Sequence, residues 1–120
     1  MKIVNKYELA TMPFGTPYYQ LDKWGNIVGD GLYIHSGHNW IDPYDNQPMF
    51  GGGISLLPES KEECYGQFNE GELPDNFELI DNGCGSTDYD NNARFLVLDA
   101  KELKIIIEFL TECYNNIKKD

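Results

Sequence analysis

The chain is poor in cysteine and in basic residues, and it has no long apolar run. Its three cysteines, Cys64, Cys84 and Cys113, lie 20 and 29 positions apart. An odd number without a Cys-x-x-Cys pair argues against a disulfide framework and against a zinc knuckle. The longest apolar run is about four residues, whereas ~20 are needed to cross a bilayer. We therefore expect no contact with a membrane.

The first residues also lack a feature of exported proteins. Residues 1–5 are not followed by the apolar stretch of a secretory signal peptide. We therefore expect a cytoplasmic protein.

What is present predicts a folded core. Hydrophobic residues make up 41% and aromatic residues 13% of the 120 residues, too many for a disordered chain even at a net charge of −11. A chain of this length forms one domain, residues 1–120, which buries more than about 60% of its unfolded surface.

Most of the negative charge lies in one central segment. Residues 59–92 hold ten acidic residues against Lys61 alone, which gives −9 of the total −11. The acidic residues are Glu59, Glu62, Glu63, Glu70, Glu72, Asp75, Glu78, Asp81, Asp88 and Asp90. Such a segment repels nucleic-acid phosphates and attracts basic protein surfaces. We therefore expect a basic protein partner and no direct binding of DNA or RNA.

Local signals in the first third predict a short helix and two strands. Asn5 and Glu8 form a capping-box pattern that opens a helix ending before Pro13. Residues 15–21 read as an edge-type strand because they contain a proline. Residues 27–35 read as a second strand, in which two glycines, at 29 and 31, predict a bulge or a close backbone approach.

The last third predicts a central strand followed by a long helix. Residues 94–98 are almost continuously apolar, which is typical of a buried strand. Asp99 and Glu102 form another capping box. A stripe at helical spacing follows, which we expect to face the core, with Cys113 packed on the same face; it consists of Leu103, Ile106, Ile107, Leu110, Tyr114 and Ile117.

Between these ends, residues 35–53 lack periodicity and are rich in proline and glycine. They read as a long connection, and such connections are usually functional or disordered. Strands are expected over 54–57 and 77–80, and an acidic helix over 60–69. The whole pattern predicts an α+β domain: a small antiparallel sheet of about 4–6 strands, packed by a C-terminal amphipathic helix and one or two short helices.

Both histidines lie in the connection, as His35-Ser-Gly-His38. Zinc sites of the His-Glu-x-x-His type need i, i+4 spacing on a helix, and here the spacing is three in an irregular stretch. Catalysis by Ser36 would need an oriented base and a nucleophile motif around the serine, and no such motif is present. We therefore expect no metal, no cofactor and no catalytic residue, and hence a protein that is not an enzyme.

Aromatic side chains among polar loop residues, in and before this connection, are the strongest binding signal of the sequence. Rigid rings supply contact area at little entropic cost, so Tyr and Trp with Asn and Gly are typical of adaptable binding surfaces. We expect about half of these rings to be core and the rest to form a recognition surface; the set is Trp24, Tyr33, Trp40, Tyr44 and Phe50.

Two blocks of the sequence resemble small phage and prophage accessory proteins. Residues 1–19 include Met12-Pro-Phe-Gly-Thr16, similar to a Met/Leu-Pro-x-Gly-Thr motif that follows a short strand and helix in that group. Residues 94–110 resemble the closing strand and helix of the group. The resemblance implies a mobile-element accessory protein, and many small acidic proteins of this kind block host defence systems. It carries no functional residue over to this chain.

Three functions follow as hypotheses. The first is an acidic phage- or prophage-type inhibitor, anti-CRISPR-like in action, that blocks a host defence protein in the host cytoplasm. Its expected partner-binding residues are Glu59, Glu62, Glu63, Glu70, Glu72, Asp75, Trp40 and Tyr44. The second is a sponge for a small nucleotide signal, held by loop aromatics. Its expected ligand-binding residues are Trp24, Tyr33, His35, His38 and Arg94. The third is an immunity protein that neutralises a toxin. Self-association of the chain into a homo-oligomer is left open.

Overall fold

The computed structural model of the protein describes residues 1–51, 53–56, 58, 68–79 and 92–118. This part of the chain contains seven strands and two helices. In chain order they are β1 (Lys2–Asn5), α1 (Lys6–Ala10), β2 (Pro17–Leu21), β3 (Ile27–His35), β4 (Asn39–Ile41), β5 (Pro48–Phe50), β6 (Gly53–Ser55), β7 (Arg94–Val97) and α2 (Ala100–Ile117).

Five strands form one antiparallel sheet in the order β1-β7-β2-β3-β6, and β4 pairs with β5 in a separate hairpin. One face of the sheet carries most of the core, and α1 and β5 cover that face. The core cluster consists of Val4, Leu9, Ala10, Tyr18, Tyr33, Phe50, Phe95 and Val97. The predicted α+β class, with a small antiparallel sheet, is confirmed.

Strand β7 lies where its apolar sequence predicts, between β1 and β2. Strand β2 also lies inside the sheet, between β7 and β3, so the prediction of an edge strand is wrong. The reason is the position of Pro17 as the first residue of β2, where a missing N–H interrupts no ladder bond. Its carbonyl still accepts a hydrogen bond from the Leu98 N–H at 3.0 Å.

The bulge predicted in β3 is present. Tyr18 of β2 faces Tyr33, while Gln20 faces Val28, so several residues of β3 lie opposite Tyr19 alone. Gly29 adopts φ +83°, in the left-handed region that favours glycine, and a Cβ there would lie 2.9 Å from the Tyr33 hydroxyl. The positive φ is therefore the main reason why a glycine is needed at this position.

Both terminal capping boxes form as predicted. Asn5 and Glu8 cap α1, and Asp99 and Glu102 cap α2, each pair with reciprocal side-chain to backbone hydrogen bonds. Helix α1 ends at Ala10, with Thr11 as its C-cap. No helix in the described ranges is both long and apolar enough to cross a membrane.

The predicted orientation of α2 is wrong. No residue of α2 is buried, and Cys113 is exposed rather than packed. The stripe is half-buried only at its start, at Leu103 and Ile106. The physical reason on the core face is that α1 and β5 already cover it. On the opposite face, α2 does not pack along any of the described strands.

The centre of the chain is only partly described. Strand β6 confirms the strand expected near 54–57, although residue 57 itself lies outside the described residues. Of the strand expected over 77–80, an isolated bridge between Pro58 and Leu79 is present. The helix expected over 60–69 lies outside the described residues, except for its last two positions. Cys64 and Cys84 also lie outside the described residues.

Candidate functional site

A β-hairpin occupies much of the segment that the sequence predicted as an irregular connection. Strands β4 and β5 pair with Trp40 opposite Met49 and Ile41 opposite Pro48. The turn between them is built by side-chain caps: an Asp42 carboxylate oxygen accepts from the Tyr44 N–H at 2.8 Å, and an Asp45 carboxylate oxygen accepts from the Gln47 N–H at 3.1 Å. Asx turns of this type set a defined loop without hydrophobic periodicity, which is why the sequence pattern missed it.

The inner face of the hairpin is fixed to the body of the protein. The Phe50 ring stacks on the His35 ring with centroids 5.2 Å apart. The Asn39 side-chain amide donates to the Ala10 carbonyl at 3.1 Å. The Gly51 N–H donates to the His38 carbonyl at 2.7 Å, which closes the base of the hairpin. The hairpin is therefore a firmly anchored platform.

The outer part of the hairpin exposes large apolar side chains. Tyr44 at the turn is 97% exposed, Ile41 is 58% exposed and Trp40 is 42% exposed. The His38 ring lies 5.5 Å from the Trp40 ring and supports one side of it. A groove of about 240 Å³ runs beside Trp40, lined by Ala10, Thr11, Asn39, Trp40, Ile41 and Pro48. Exposed rings beside a groove are typical of the central contacts of protein interfaces.

The hairpin is also negatively charged. Asp42 and Asp45 are exposed, and the span 36–50 contains no lysine or arginine. Neither carboxylate forms an ion pair with a described side chain. We name this hairpin, residues 39–50, with its exposed rings and two aspartates, the aromatic hairpin.

The described part of the acidic segment, residues 68–79, has the same mixture of charge and apolar surface. It carries four exposed acidic residues and no base; they are Glu70, Glu72, Asp75 and Glu78. A groove of about 300 Å³ lies among them, with an almost wholly apolar lining of Pro58, Phe68, Leu73, Pro74, Asn76 and Phe77. The other acidic residues predicted to bind a partner, Glu59, Glu62 and Glu63, lie outside the described residues.

Two residues expected to bind a ligand are instead core residues, which corrects that expectation. Tyr33 is 9% exposed and stacks on Tyr18, and His35 is 0% exposed. Nδ1 of His35 accepts a hydrogen bond from the Gly37 N–H at 2.8 Å, which places the proton of the neutral ring on Nε2. Neither side chain is open to a ligand from solvent.

The charge state of His35 follows from the same burial. Burial lowers the pKa of His35, because the imidazolium ion loses its hydration in the core. The carbonyl groups of Leu9 and Ala10 act in the opposite direction on this pKa, with a smaller effect. Nε2 has no hydrogen-bond partner among the described residues. His35 is therefore a neutral core residue at neutral pH.

Trp24 and Arg94 lie at the other end of the β2–β3 ladder. Trp24 is exposed in the tight turn between the two strands, with Lys23 Nζ 4.5 Å from the centre of its ring. Arg94 donates from one guanidinium nitrogen to the Asp22 and Lys23 carbonyls, at 3.4 and 3.2 Å. The arginine thus holds the backbone of this turn. The structure does not bring Trp24 and Arg94 together with His38 and Trp40.

The described residues contain no group of three or more His, Cys, Asp or Glu side chains placed to hold a metal ion. Of the residues predicted from sequence, the structure places Trp40 and Tyr44 on the aromatic hairpin and His38 directly before it, with its ring 5.5 Å from the Trp40 ring. The residues that the prediction missed are Ile41, Asp42 and Asp45 on the same hairpin. Comparison with models of known protein families, with curated proteins and with solved structures finds no match to this chain.

Proposed function

We propose that the protein is a non-enzymatic inhibitor that binds a basic surface of another protein through the aromatic hairpin and the acidic segment 68–79. One observation carries the proposal: Trp40, Ile41 and Tyr44 are all exposed on an anchored hairpin whose only charges are negative. An interface needs such rigid rings at its centre and complementary charge around them.

The choice of partner class follows from charge. A basic surface, of the kind used to hold nucleic acid, meets unpaired carboxylates on this chain and is drawn to them before contact. The resemblance to phage and prophage accessory proteins supports a host defence protein as the partner, with the host cytoplasm as the place of action. A basic toxin would present the same kind of surface. The experiment must therefore distinguish an anti-defence function from an immunity function.

The nucleotide-sponge hypothesis has less support from the geometry. Tyr33 and His35 are buried, and Arg94 donates to turn carbonyls rather than standing open to a phosphate. Trp24 and Trp40 lie toward opposite ends of the β2–β3 ladder, and the five residues of β2 alone span roughly 13 Å. This arrangement gives no support for a base stacked between the two tryptophans.

The experiment uses the two exposed tryptophans as a matched pair. The full chain, its Trp40→Ala variant and its Trp24→Ala variant are immobilised, and proteins retained from host lysate at low salt are identified by mass spectrometry. The partner found is then purified and its affinity for each chain is measured. Loss of a central interface ring costs ~2 kcal/mol or more, about a 30-fold weaker affinity. We expect that loss for Trp40→Ala and little change for Trp24→Ala.

Two cell-based readouts assign the biological class. The chain is expressed in cells that carry single defence systems, and phage plating is measured; restored plating with wild-type protein but not with Trp40→Ala supports the anti-defence function. Protection of cells from a basic toxin would assign the immunity function instead. The proposal fails if no basic protein is retained at low salt, or if the two tryptophan variants weaken binding equally.

A further inference from the structure

Helix α2 exposes an apolar stripe that the sheet does not cover. Within its 18 residues no side chain is buried. Four stripe residues are each more than half exposed: Ile107, Leu110, Tyr114 and Ile117. Ile105 and Phe109 are exposed to a similar degree, but at about 100° per residue they lie roughly 140° and 100° around the helix from Leu110, outside the stripe. Isolated helices of this length are marginal in water, and most helical stability comes from packing of an apolar face. The stripe therefore needs a cover.

The spacing of the stripe fits a second copy of itself. Its positions lie symmetrically about Leu110, at three, four and seven residues on each side: 103, 106, 107, 113, 114 and 117. An antiparallel copy centred on Leu110 therefore places Leu103 opposite Ile117 and Ile106 opposite Tyr114. Each apolar residue meets an apolar residue, as an interface with two-fold symmetry requires.

The exposed area is that of a small interface. The four exposed stripe side chains contribute on the order of 100 Å² each, or roughly 400 Å² per helix. A standard protein interface buries about 800 Å² per partner. The stripe supplies about half of that area, so we expect a dimer that dissociates on dilution.

Charge favours self-pairing at this helix and sets its direction. Helix α2, residues 100–117, holds two lysines and three glutamates, a net charge of −1, while the rest of the chain carries −10. The helix starts next to the sheet, where the amino group of Met1 contacts a Glu102 carboxylate oxygen at 2.7 Å. Antiparallel pairing puts the two acidic bodies at opposite ends of a helix about 27 Å long, well beyond the screening length of about 8 Å. Parallel pairing would put them side by side.

We propose that α2 pairs in antiparallel orientation with α2 of a second copy of this chain, about a two-fold axis at Leu110. The two helix dipoles then also lie side by side in opposite directions, with the N-terminus of each helix near the C-terminus of the other, which is the favourable arrangement. This dimer uses a different surface from the aromatic hairpin, so it stands or falls independently of the proposed inhibitor function.

The first test measures mass in solution. Sedimentation and light scattering of the full chain should give twice the 13.7 kDa of one copy. Leu110→Glu places a charge in the seam and should yield the monomer at concentrations where the wild type is dimeric. Asn115→Glu adds the same charge on the polar face of the same helix and should leave the dimer intact. Circular dichroism checks that both variants remain folded.

The second test fixes the direction of the helices. In a background with Cys64, Cys84 and Cys113 changed to serine, Leu110→Cys should form a covalent dimer on oxidation. Leu103→Cys and Ile117→Cys should cross-link with each other when mixed, and neither with itself. Cross-linking of each with itself would show parallel pairing and overturn the proposal.

Other covers for the stripe give different results. If the stripe packs within its own chain, the wild type stays monomeric at every concentration and Leu110→Glu lowers the melting temperature without changing the mass. If Leu110→Glu and Asn115→Glu weaken the dimer equally, the seam does not run through Leu110. Either result overturns the proposal.

Discussion

His35 shows how a single residue can carry opposite meanings in sequence and in structure. In the sequence it lies beside His38, among aspartates, and it resembles part of a binding site. In the structure it is a stacking partner of Phe50 and an acceptor for the Gly37 N–H, so it joins β3 to the hairpin. Burial depends on residues far along the chain, such as Leu9 and Phe50, and no local pattern reveals it.

The buried ring predicts a dependence of stability on pH. Because the pKa of His35 is lowered in the folded state, the unfolded chain takes up a proton that the folded chain does not. Stability is full above the ordinary pKa of about 6.5 and declines as the pH falls from there toward the lowered pKa. The slope of unfolding free energy against pH in this window is limited to ~1.4 kcal/mol per pH unit for one proton.

The measurement compares denaturant unfolding curves across this pH range. His35→Phe keeps an aromatic ring against Phe50 but removes the titrating group, so its curve should be flatter than that of the wild type between pH 7 and 5. His38→Gln is the matched control and should keep the wild-type slope. Equal slopes in the wild type and His35→Phe would show that His35 does not carry the effect.

Elements with local signals were predictable from sequence. The two capping boxes depend on residues three apart, and the apolar run of β7 is its own signal. The predictions that were wrong or missing concern features that depend on contacts between distant residues. These features are the internal position of β2 in the sheet, the hairpin in residues 39–50, and the packing of α2. The sequence predicted that α2 has an apolar stripe, but the cover for that stripe depends on what α1 and β5 already occupy.

The cap of α2 gives a prediction at the scale of the element. The Asp99 side chain accepts from the Glu102 N–H at 2.9 Å, and a Glu102 carboxylate oxygen accepts from the Asp99 N–H at 2.9 Å. The backbone hydrogen bond from Glu102 lowers the pKa of Asp99. Asp99→Ala removes the acceptor and should lower the free energy of unfolding by about 1 kcal/mol.

Two neighbouring changes test the cause. Asp99→Asn keeps a side-chain acceptor without the charge and should lose less than Asp99→Ala, because Asn is also a good N-cap. Lys101 is exposed and lies two residues after Asp99, so Lys101→Ala should leave the free energy of unfolding nearly unchanged. Thermal unfolding followed by circular dichroism at 222 nm measures all three. An alanine variant as stable as the wild type would show that the cap does not stabilise α2.

At the scale of the whole molecule, the acidic residues and the helix that we propose to self-associate lie in different parts of the chain. The acidic residues crowd into the central third of the sequence, while α2 is nearly neutral and exposes an apolar stripe. That asymmetry was readable from composition, and its described part, the exposed carboxylates of residues 68–79, is consistent with it in the structure. The aromatic hairpin was only partly predictable. The residue types of Trp40 and Tyr44 indicated a binding surface, but the sequence did not reveal the turn that places Asp42 and Asp45 beside them.

If the acidic segment steers a basic partner, its carboxylates should act mainly on the rate of association. Charges at the rim of an interface change the association rate and its salt dependence more than the dissociation rate. Glu70→Gln/Glu72→Gln should therefore slow association with the partner several-fold at low salt and leave dissociation nearly unchanged. The difference should shrink as added salt shortens the screening length from about 10 Å at 0.1 M toward 3 Å at 1 M.

The control is Glu108→Gln/Glu112→Gln, which removes the same net charge from the polar face of α2, outside the acidic segment. If net charge alone governs the encounter, the two double variants slow association equally. If the local field of residues 68–79 governs it, only the first pair does so, because an exposed charge more than a screening length away contributes little. Surface plasmon resonance over a salt series distinguishes the two cases, and equal slopes would remove the acidic segment from the proposed interface.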